Sequence, residues 1–337
     1  MDAAVRGTGR LFTDPDPEVT RRFFRDKKGA LKDKVMSVPE AVAAFVHDGD
    51  YVASGGFGTN RISTSVLHEI LRQKKRDLGF AGFSSTHGFQ VLAAGNRNGE
   101  RLLSRVDASY VVGLEARGLS PHARRVMEEG GVEVCEWSNY ALACRLKAAA
   151  MGVPFLPARS MLGTDTLARS AARVIDCPFT GRKLAALPAL SPDVSFIHVH
   201  ESDCYGNCRI RGITVADADL ARASRRLIVT AERLVSNREI RAAPHATVIP
   251  CFCVDAVCEV PYGAYPCNMA GEYFSDEAHL KSWLEAEKEP GTFSEFLQRH
   301  IYGVGDFEGY LRVCGGGRRM RELRAQELFS REEARDG

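Results

Sequence analysis

The stretch "DGDYVASGGFGTNRIS", Asp48 to Ser63, runs from a charged turn through the short apolar segment 51–54 into three glycines and then a helix-like pattern. Strand, glycine turn and helix in that order make an α/β unit whose turn lies at the carboxyl end of a strand, where open sheets bind ligands. Glycine accepts positive φ and lets a bound group come close to the backbone. The helix that follows offers free N–H groups suited to an anion or oxyanion. The spacing is not that of a dinucleotide fold: GGFGTN is not GxGxxG, and no acidic residue closes a later strand at the required distance. The 337 residues also contain no GxxxxGK[ST], GxSxG or HExxH segment. These absences speak against a dehydrogenase or an NTPase.

Outward from this stretch the pattern alternates. "SVPE" at Ser37 to Glu40 is a capping box with proline in the first turn, opening a helix that ends near His47. "STSVLHEILRQKK" is amphipathic, "DLGFAGFSS" is a strand, and "VDASYVVG" and "VEVCEW" read as two more with a helix between them from Pro121 to Glu129. "NYALACRLKAAAMG" is a helix stopped by Gly152. In the second half "DVSFIHVH" and "RLIVTAE" are strands, the latter apolar enough to be covered on both faces. "IPCFCVDAVCEVPYGAYP" reads as extended chain, with Cys251 and Cys253 on one strand face and Cys258 on the other. The fold class expected is α/β: an open, mainly parallel sheet with helices on both faces and a helical C-terminal appendage. The expected organisation is a polar lead-in over 1–36, an α/β domain over 37–275 and a helical extension over 276–337.

A net charge of +2 gives no nucleic-acid surface. No apolar run approaches the roughly 20 residues that cross a bilayer, and the N-terminus lacks the shape of a secretory signal, so a cytoplasmic address is expected. The ten cysteines contain no CxxC pair and read as reduced core thiols rather than a disulfide or zinc framework.

Four strand-end loops carry candidate chemistry. The first is Gly55, Gly56, Phe57 and Gly58, with Asn60 and Arg61 adding a donor and a charge. The second is Ser84, Ser85, Thr86, His87 and Gly88; the third is Glu136, Trp137, Ser138 and Asn139; the fourth is Ser202 to Asn207. Plain alternatives stand beside each: a tight turn for the glycines, a helix cap for Ser84 and Ser85, a surface ion pair for Arg61, and a structural contact for His87. His198 and His200 share a strand face but have no third metal ligand spaced with them. The fourth loop is explained by turn chemistry, with Asp203 forming an Asx-turn.

The opening segment resembles the DGD-x-(apolar)-GGF…R-x-P signature of the family I CoA-transferases, most closely the group formed by the A subunits of glutaconate CoA-transferases. "VMSVPEAVAAFVHDGD", "LHEILRQ", "GVPFLP", "DVSFIHVHESDCYGNCRI", "VDAVCEVPYGAYP" and "GDFEGYL" follow in the family's order, over about residues 34 to 315. One departure is Ser63, where the family has proline; a serine there is expected to cap the helix instead. The resemblance implies transfer of coenzyme A between carboxylic acids, a dicarboxylate such as glutaconate among them. A glutamate carboxylate attacks the thioester, a mixed anhydride forms, and returning CoA thiolate gives an enzyme thioester. Coenzyme A is then a substrate, and no metal or redox cofactor is implied. In this family the glutamate belongs to the B subunit or to the second half of a fused chain. Glu115 and Glu136 are the nearest acids here, and neither sits in an SENG-like segment. The expected assembly is therefore a hetero-oligomer with the B subunit of the same CoA-transferase. This chain would contribute Gly55, Gly56, Phe57, Gly58, Asn60, Arg61, Ser84, Ser85 and Ser138 to bind substrate or oxyanion across the interface between the two chains. A CoA-ester hydrolase or decarboxylase on the same fold, or a non-catalytic acyl-CoA-binding subunit, are the alternatives.

Overall fold

The computed structural model describes residues 6–27, 29–114 and 117–336. In chain order the described strands are β1 (Tyr51–Ser54), β2 (Leu78–Gly82), β3 (Leu103–Ala108), β4 (Gly113–Leu114), β5 (Gly118–Leu119), β6 (Glu133–Glu136), β7 (Phe155–Ala158), β8 (Arg173–Asp176), β9 (Lys183–Pro188), β10 (Val194–Ser202), β11 (Cys208–Arg209), β12 (Arg226–Leu234) and β13 (Ala256–Glu259). The helices are α1 (Pro17–Asp26), α2 (Val38–Phe45), α3 (Thr64–Arg72), α4 (Thr86–Ala93), α5 (Pro121–Glu128), α6 (Asn139–Met151), α7 (Asp165–Ala168), α8 (Asp217–Ala223), α9 (Asn237–Ala242), α10 (Glu277–Ala286), α11 (Pro290–Leu297), α12 (Phe307–Val313) and α13 (Gly316–Asp336).

The main sheet runs β13-β12-β10-β1-β2-β3-β6, parallel throughout, with β11 joined antiparallel to the end of β10. Strand order leaves β1 in one direction toward β2, β3 and β6, and in the other toward β10, β12 and β13. The switch point therefore lies between β1 and β10, beside the Gly55 loop.

Alternation along each strand sends side chains to opposite faces. Val52, Phe80, Val106, Phe196 and Ile228 join one core, with α2, α3, α4 and α5 supplying Val42, Val66, Leu67, Phe89 and Ala123. Tyr51, Ala53, Ala81, Ile197, Leu227 and Val229 join the other, against Leu142 and Leu146 of α6 and Leu220 of α8. Each such large apolar side chain contributes about 1.5–3 kcal/mol by leaving water. The open parallel sheet with helices on both faces is as the sequence pattern indicates, and the helical C-terminal region is present. That region adds Trp283, Phe293, Leu297, Phe307, Tyr310 and Leu323 to the first core, where Phe307 and Tyr310 meet His68 of α3, Trp283 meets His87 of α4 and Phe293 meets His122 of α5, so it packs over the helices on that side of the sheet.

Local signals behave as their chemistry dictates. Ser37 and Glu40 form a reciprocal capping box, and Gly152 ends α6 at φ 70°. Three local expectations change. Cys251–Cys253 is a 3-10 turn after Pro250, and only Ala256–Glu259 is strand, so the three cysteines do not share one strand. Tyr110 takes φ 68°, which ends the strand of "VDASYVVG" at Ala108. Ser63 starts α3 without a side-chain cap, and its hydroxyl is buried with no partner. A separate antiparallel sheet, β7-β9-β8, occupies part of 155–188, a region the periodicity leaves unassigned because its strands are short and half-exposed. All ten cysteines are free thiols. No helix among the described residues is long and apolar enough to cross a membrane.

Candidate active site

Neighbouring strands in a sheet lie about 4.8 Å apart, so the loops after β1, β2, β3 and β6 sit side by side. They are also tied to one another. Gly58 N–H donates to Phe83 O at 3.3 Å, Trp137 N–H donates to Ala108 O at 2.8 Å, Ser109 Oγ donates to Gly82 O at 3.1 Å, and Asn139 Nδ2 donates to Ser84 Oγ at 3.0 Å. Three of these loops hold a non-glycine residue at positive φ, Arg61 at 59°, Ser84 at 44° and Tyr110 at 68°. Such conformations cost roughly 1–3 kcal/mol each and persist where the surrounding structure enforces them.

The glycine loop does bind an anion, and the anion is the chain's own Asp217. Its Oδ1 accepts from Gly56 N–H at 2.9 Å, and its Oδ2 pairs with Arg61 Nη1 at 2.6 Å. A Cβ at Gly55 would stand 2.7 Å from Asp217 Oδ1, and one at Gly56 (φ 80°) would stand 2.4 Å from Asn60 O. The glycines therefore admit Asp217 and a tight turn. The remaining amides are committed too: Gly55 N–H donates to Phe196 O, Phe57 N–H to Asn60 O, and Gly58 N–H to Phe83 O. The expectation that this loop presents its amides to an oxyanion is corrected on that ground. Arg61 is corrected likewise. Its side chain is fully buried, and it donates to Asp217, to Ile213 O at 2.6 Å and to His198 O at 3.4 Å. This pair closes the switch-point crevice from within. Asn60 is half-buried, with Oδ1 accepting from Asn268 Nδ2 at 3.3 Å. Phe57 stands at the tip of the loop, 40% exposed.

The second loop is different. Ser84 accepts from Asn139, while Ser85 Oγ and Asn139 Oδ1 are buried without a partner. Ser85 is the N-cap of α4 but makes no side-chain cap bond. Its hydroxyl lies over Gly88, where a Cβ would come within 2.3 Å. An unpaired buried polar group costs about 1–3 kcal/mol, so a cluster of them at strand ends has the character of a binding site. His87 is fully enclosed and packs edge-on against Trp283 at 5.2 Å. Burial pushes its pKa down to about 3, so the ring is neutral. Gln90 is close enough to favour the charged ring slightly, yet neither ring nitrogen meets a hydrogen bond of ordinary geometry.

The remaining strand-end residue predicted from sequence, Ser138, caps α6 by accepting from Ala141 N–H at 3.1 Å, which leaves its hydroxyl proton available. Beneath these loops lies a network that sequence reading missed. Asp107 on β3 is buried and accepts from Arg145 Nη1 at 2.6 Å, from Trp137 Nε1 at 2.5 Å and from Tyr51 Oη. Arg145 also stacks on Trp137 at 4.1 Å. The partners come from β1, β3, the loop after β6 and α6, so no local spacing announces them.

The other candidates resolve as structural. His198 bonds Thr230 at 2.8 Å and Glu232 at 2.6 Å, and His200 bonds Ala270 O and accepts from Arg211 N–H. Asp203 organises its turn by accepting from Tyr205 N–H and Asn207 N–H, with Gly206 at φ 92°. Glu136 pairs with Arg169 at 3.0 Å. Glu115 lies outside the described residues.

Residues 35–260 match the family model for coenzyme A transferase. The chain belongs to the coenzyme A transferase family. It is 32% identical over 302 residues to the A subunit of glutaconate CoA-transferase from Acidaminococcus fermentans, covering 85% of this chain and 93% of that one. It is 33% identical over 289 residues to the A subunit of 3-oxoadipate CoA-transferase from Pseudomonas knackmussii, covering 85% and 99%. The crystal structure of the Acidaminococcus glutaconate coenzyme A-transferase aligns with a TM-score of 0.81 at 31% identity, over 86% of this chain and 95% of that one. A variant of the decarboxylase AibA/AibB aligns with a TM-score of 0.70 at 32% identity, over 79% and 97%. This coenzyme A transferase chain is thus similar to the A subunits of two transferases and to one decarboxylase.

Proposed function

We propose that the chain is the A subunit of a two-subunit acyl-CoA:carboxylate CoA-transferase acting in the cytoplasm on a dicarboxylic acid such as glutaconate. The carboxylate that becomes acylated is supplied by the B subunit. The carrying observation is that the enclosed acids beside these loops are already engaged. Asp107 is held by Arg145, Trp137 and Tyr51, Asp217 by Arg61 and Gly56, and Glu232 by His198 and Tyr273. A nucleophilic carboxylate needs a free lone pair facing the thioester, and these are turned to other partners.

What this chain offers instead is a polar wall. The hydroxyl of Ser84, bonded to the amide of Asn139, and that of Ser138 lie on neighbouring strand-end loops, and Phe57 and Tyr110 on adjacent loops are 40% and 46% exposed. Hydroxyl and amide groups can receive the thioester carbonyl or a substrate carboxylate, and the aromatic residues can cover the acyl chain. In the reaction the partner's carboxylate attacks the thioester carbonyl and releases CoA thiolate, leaving a mixed anhydride. The thiolate then attacks the glutamyl carbonyl and frees the first acid. The second acid reverses both steps. Electrons and protons balance with coenzyme A as a substrate and with no redox partner.

A second reading, a decarboxylase or hydrolase of CoA esters, draws support from the 32% identity to AibA/AibB. Binding of acyl-CoA without chemistry is the third. One experiment separates them: co-express the chain with the product of the neighbouring reading frame, incubate with glutaryl-CoA or acetyl-CoA, and trap with borohydride or hydroxylamine. Transfer predicts a modified glutamate on the second chain and CoA exchange only in the assembled pair. Loss of carbon dioxide or of free CoA without an acceptor acid indicates the second reading. An adduct on this chain, or exchange by this chain alone, overturns the proposal.

A further inference from the structure

Beyond residues 35–260 the helical region gathers three side chains that the transfer reaction does not use. His279 lies in the first turn of α10, His300 in a π-helical turn over Gln298–Tyr302, and Cys314 just past the end of α12. One ligand atom from each falls within 4.8 Å of the other two, and His279 Nδ1 is 3.9 Å from Cys314 Sγ. Around a tetrahedral zinc ion, bonds of about 2.0–2.3 Å put ligand atoms roughly 3.3–3.8 Å apart. Closure therefore requires side-chain movements of about 1 Å. We propose that His279, His300 and Cys314 form a binding site for zinc or a similar borderline-soft divalent cation.

The surroundings select the ligand atoms. His300 Nδ1 is 2.9 Å from Phe296 O, so it carries the proton and leaves Nε2 with the free lone pair. His279 Nε2 is 2.9 Å from Tyr310 Oη, which leaves Nδ1 toward the thiol. Metal-binding histidines commonly hold their second nitrogen in such a bond, fixing the tautomer. Binding the metal converts the Cys314 thiol to thiolate and releases one proton to solvent. Single-turn π-helical segments inside helical regions often mark functional positions, and this one presents His300. Three protein ligands leave a fourth position for water. The metal would clasp α10, the π turn and the end of α12, elements that pack over α3, α4 and α5.

The test uses the full chain, purified without a metal-affinity tag. Zinc is measured by inductively coupled plasma mass spectrometry after dialysis, and Co²⁺ titration is followed by the thiolate-to-cobalt absorption band. The expected result is one equivalent of zinc and a saturable cobalt band, both lost in Cys314→Ser and both kept in Cys177→Ser. His300→Asn is expected to weaken cobalt binding at least tenfold. Circular dichroism and the melting temperature of the metal-free variants show that they fold. A wild-type chain that binds neither ion at micromolar concentration overturns the site. So does a cobalt band unchanged in Cys314→Ser.

Discussion

Asp217→Asn leaves the guanidinium of Arg61 buried without its counter-charge. Both side chains are almost fully removed from water, at 0% and 2% exposure, and meet at 2.6 Å. Unit charges about 4 Å apart interact by roughly 4 kcal/mol at an effective dielectric of 20. Breaking one partner of a buried pair costs about 3–5 kcal/mol. The asparagine oxygen can still accept from Gly56 N–H, so the loss is mainly the uncompensated charge. Against a typical stability of about 5–15 kcal/mol, that is a third or more of the total. Urea denaturation followed by tryptophan fluorescence should show the midpoint lowered by roughly 1 M or more at unchanged slope. Arg61→Met combined with Asp217→Leu removes both charges and should recover part of the loss, because no buried ion remains unpaired. The same double variant, assembled with the B subunit, should keep its KM for a diacid within threefold. An Asp217→Asn midpoint equal to wild type would refute the reasoning. A stable double variant whose KM rises tenfold would return Arg61 to the substrate site.

Three more outcomes follow from the same contacts. Gly56→Ala should lose more stability than Gly55→Ala, and Gly58→Ala the least, about 1 kcal/mol. Gly56 combines positive φ with a backbone clash, Gly55 meets Asp217 and Ile197, and Gly58 faces open space, so a flat ranking of melting temperatures would contradict this packing. Ser63→Pro should stabilise by about 0.5–1 kcal/mol, since φ is −73° and the buried hydroxyl has no partner; a lower melting temperature would mean the backbone must shift there. Glu287 is buried, with Ser120 Oγ at 2.5 Å and Trp283 Nε1 at 2.7 Å, and burial pushes its pKa from 4.5 to about 7. Its stability contribution is therefore complete below about pH 4.5 and lost as pH rises through about 7, on the order of 3 kcal/mol. Glu287→Gln should raise the melting temperature relative to wild type at pH 8 and lose that advantage at pH 4; a difference independent of pH would count against a raised carboxyl pKa.

How far the sequence reached depended on the range of the interaction. Strand alternation, the Ser37–Glu40 capping box, the Gly152 stop and the Asp203 turn each arise from residues a few positions apart, so their pattern is written locally. They suffice for an open parallel sheet and for the hydroxyl loop at Ser84 and Ser85. The glycine loop was legible as an anion-binding turn but not as one that is already filled. Arg61 and Asp217 are 156 positions apart, and the Asp107 network draws on β1, the loop after β6 and α6. Charge pairs of that kind carry no period and no spacing. Only folding brings an aspartate to the amide of Gly56, and a buried guanidinium must then take it as partner because low polarity leaves no water to do so.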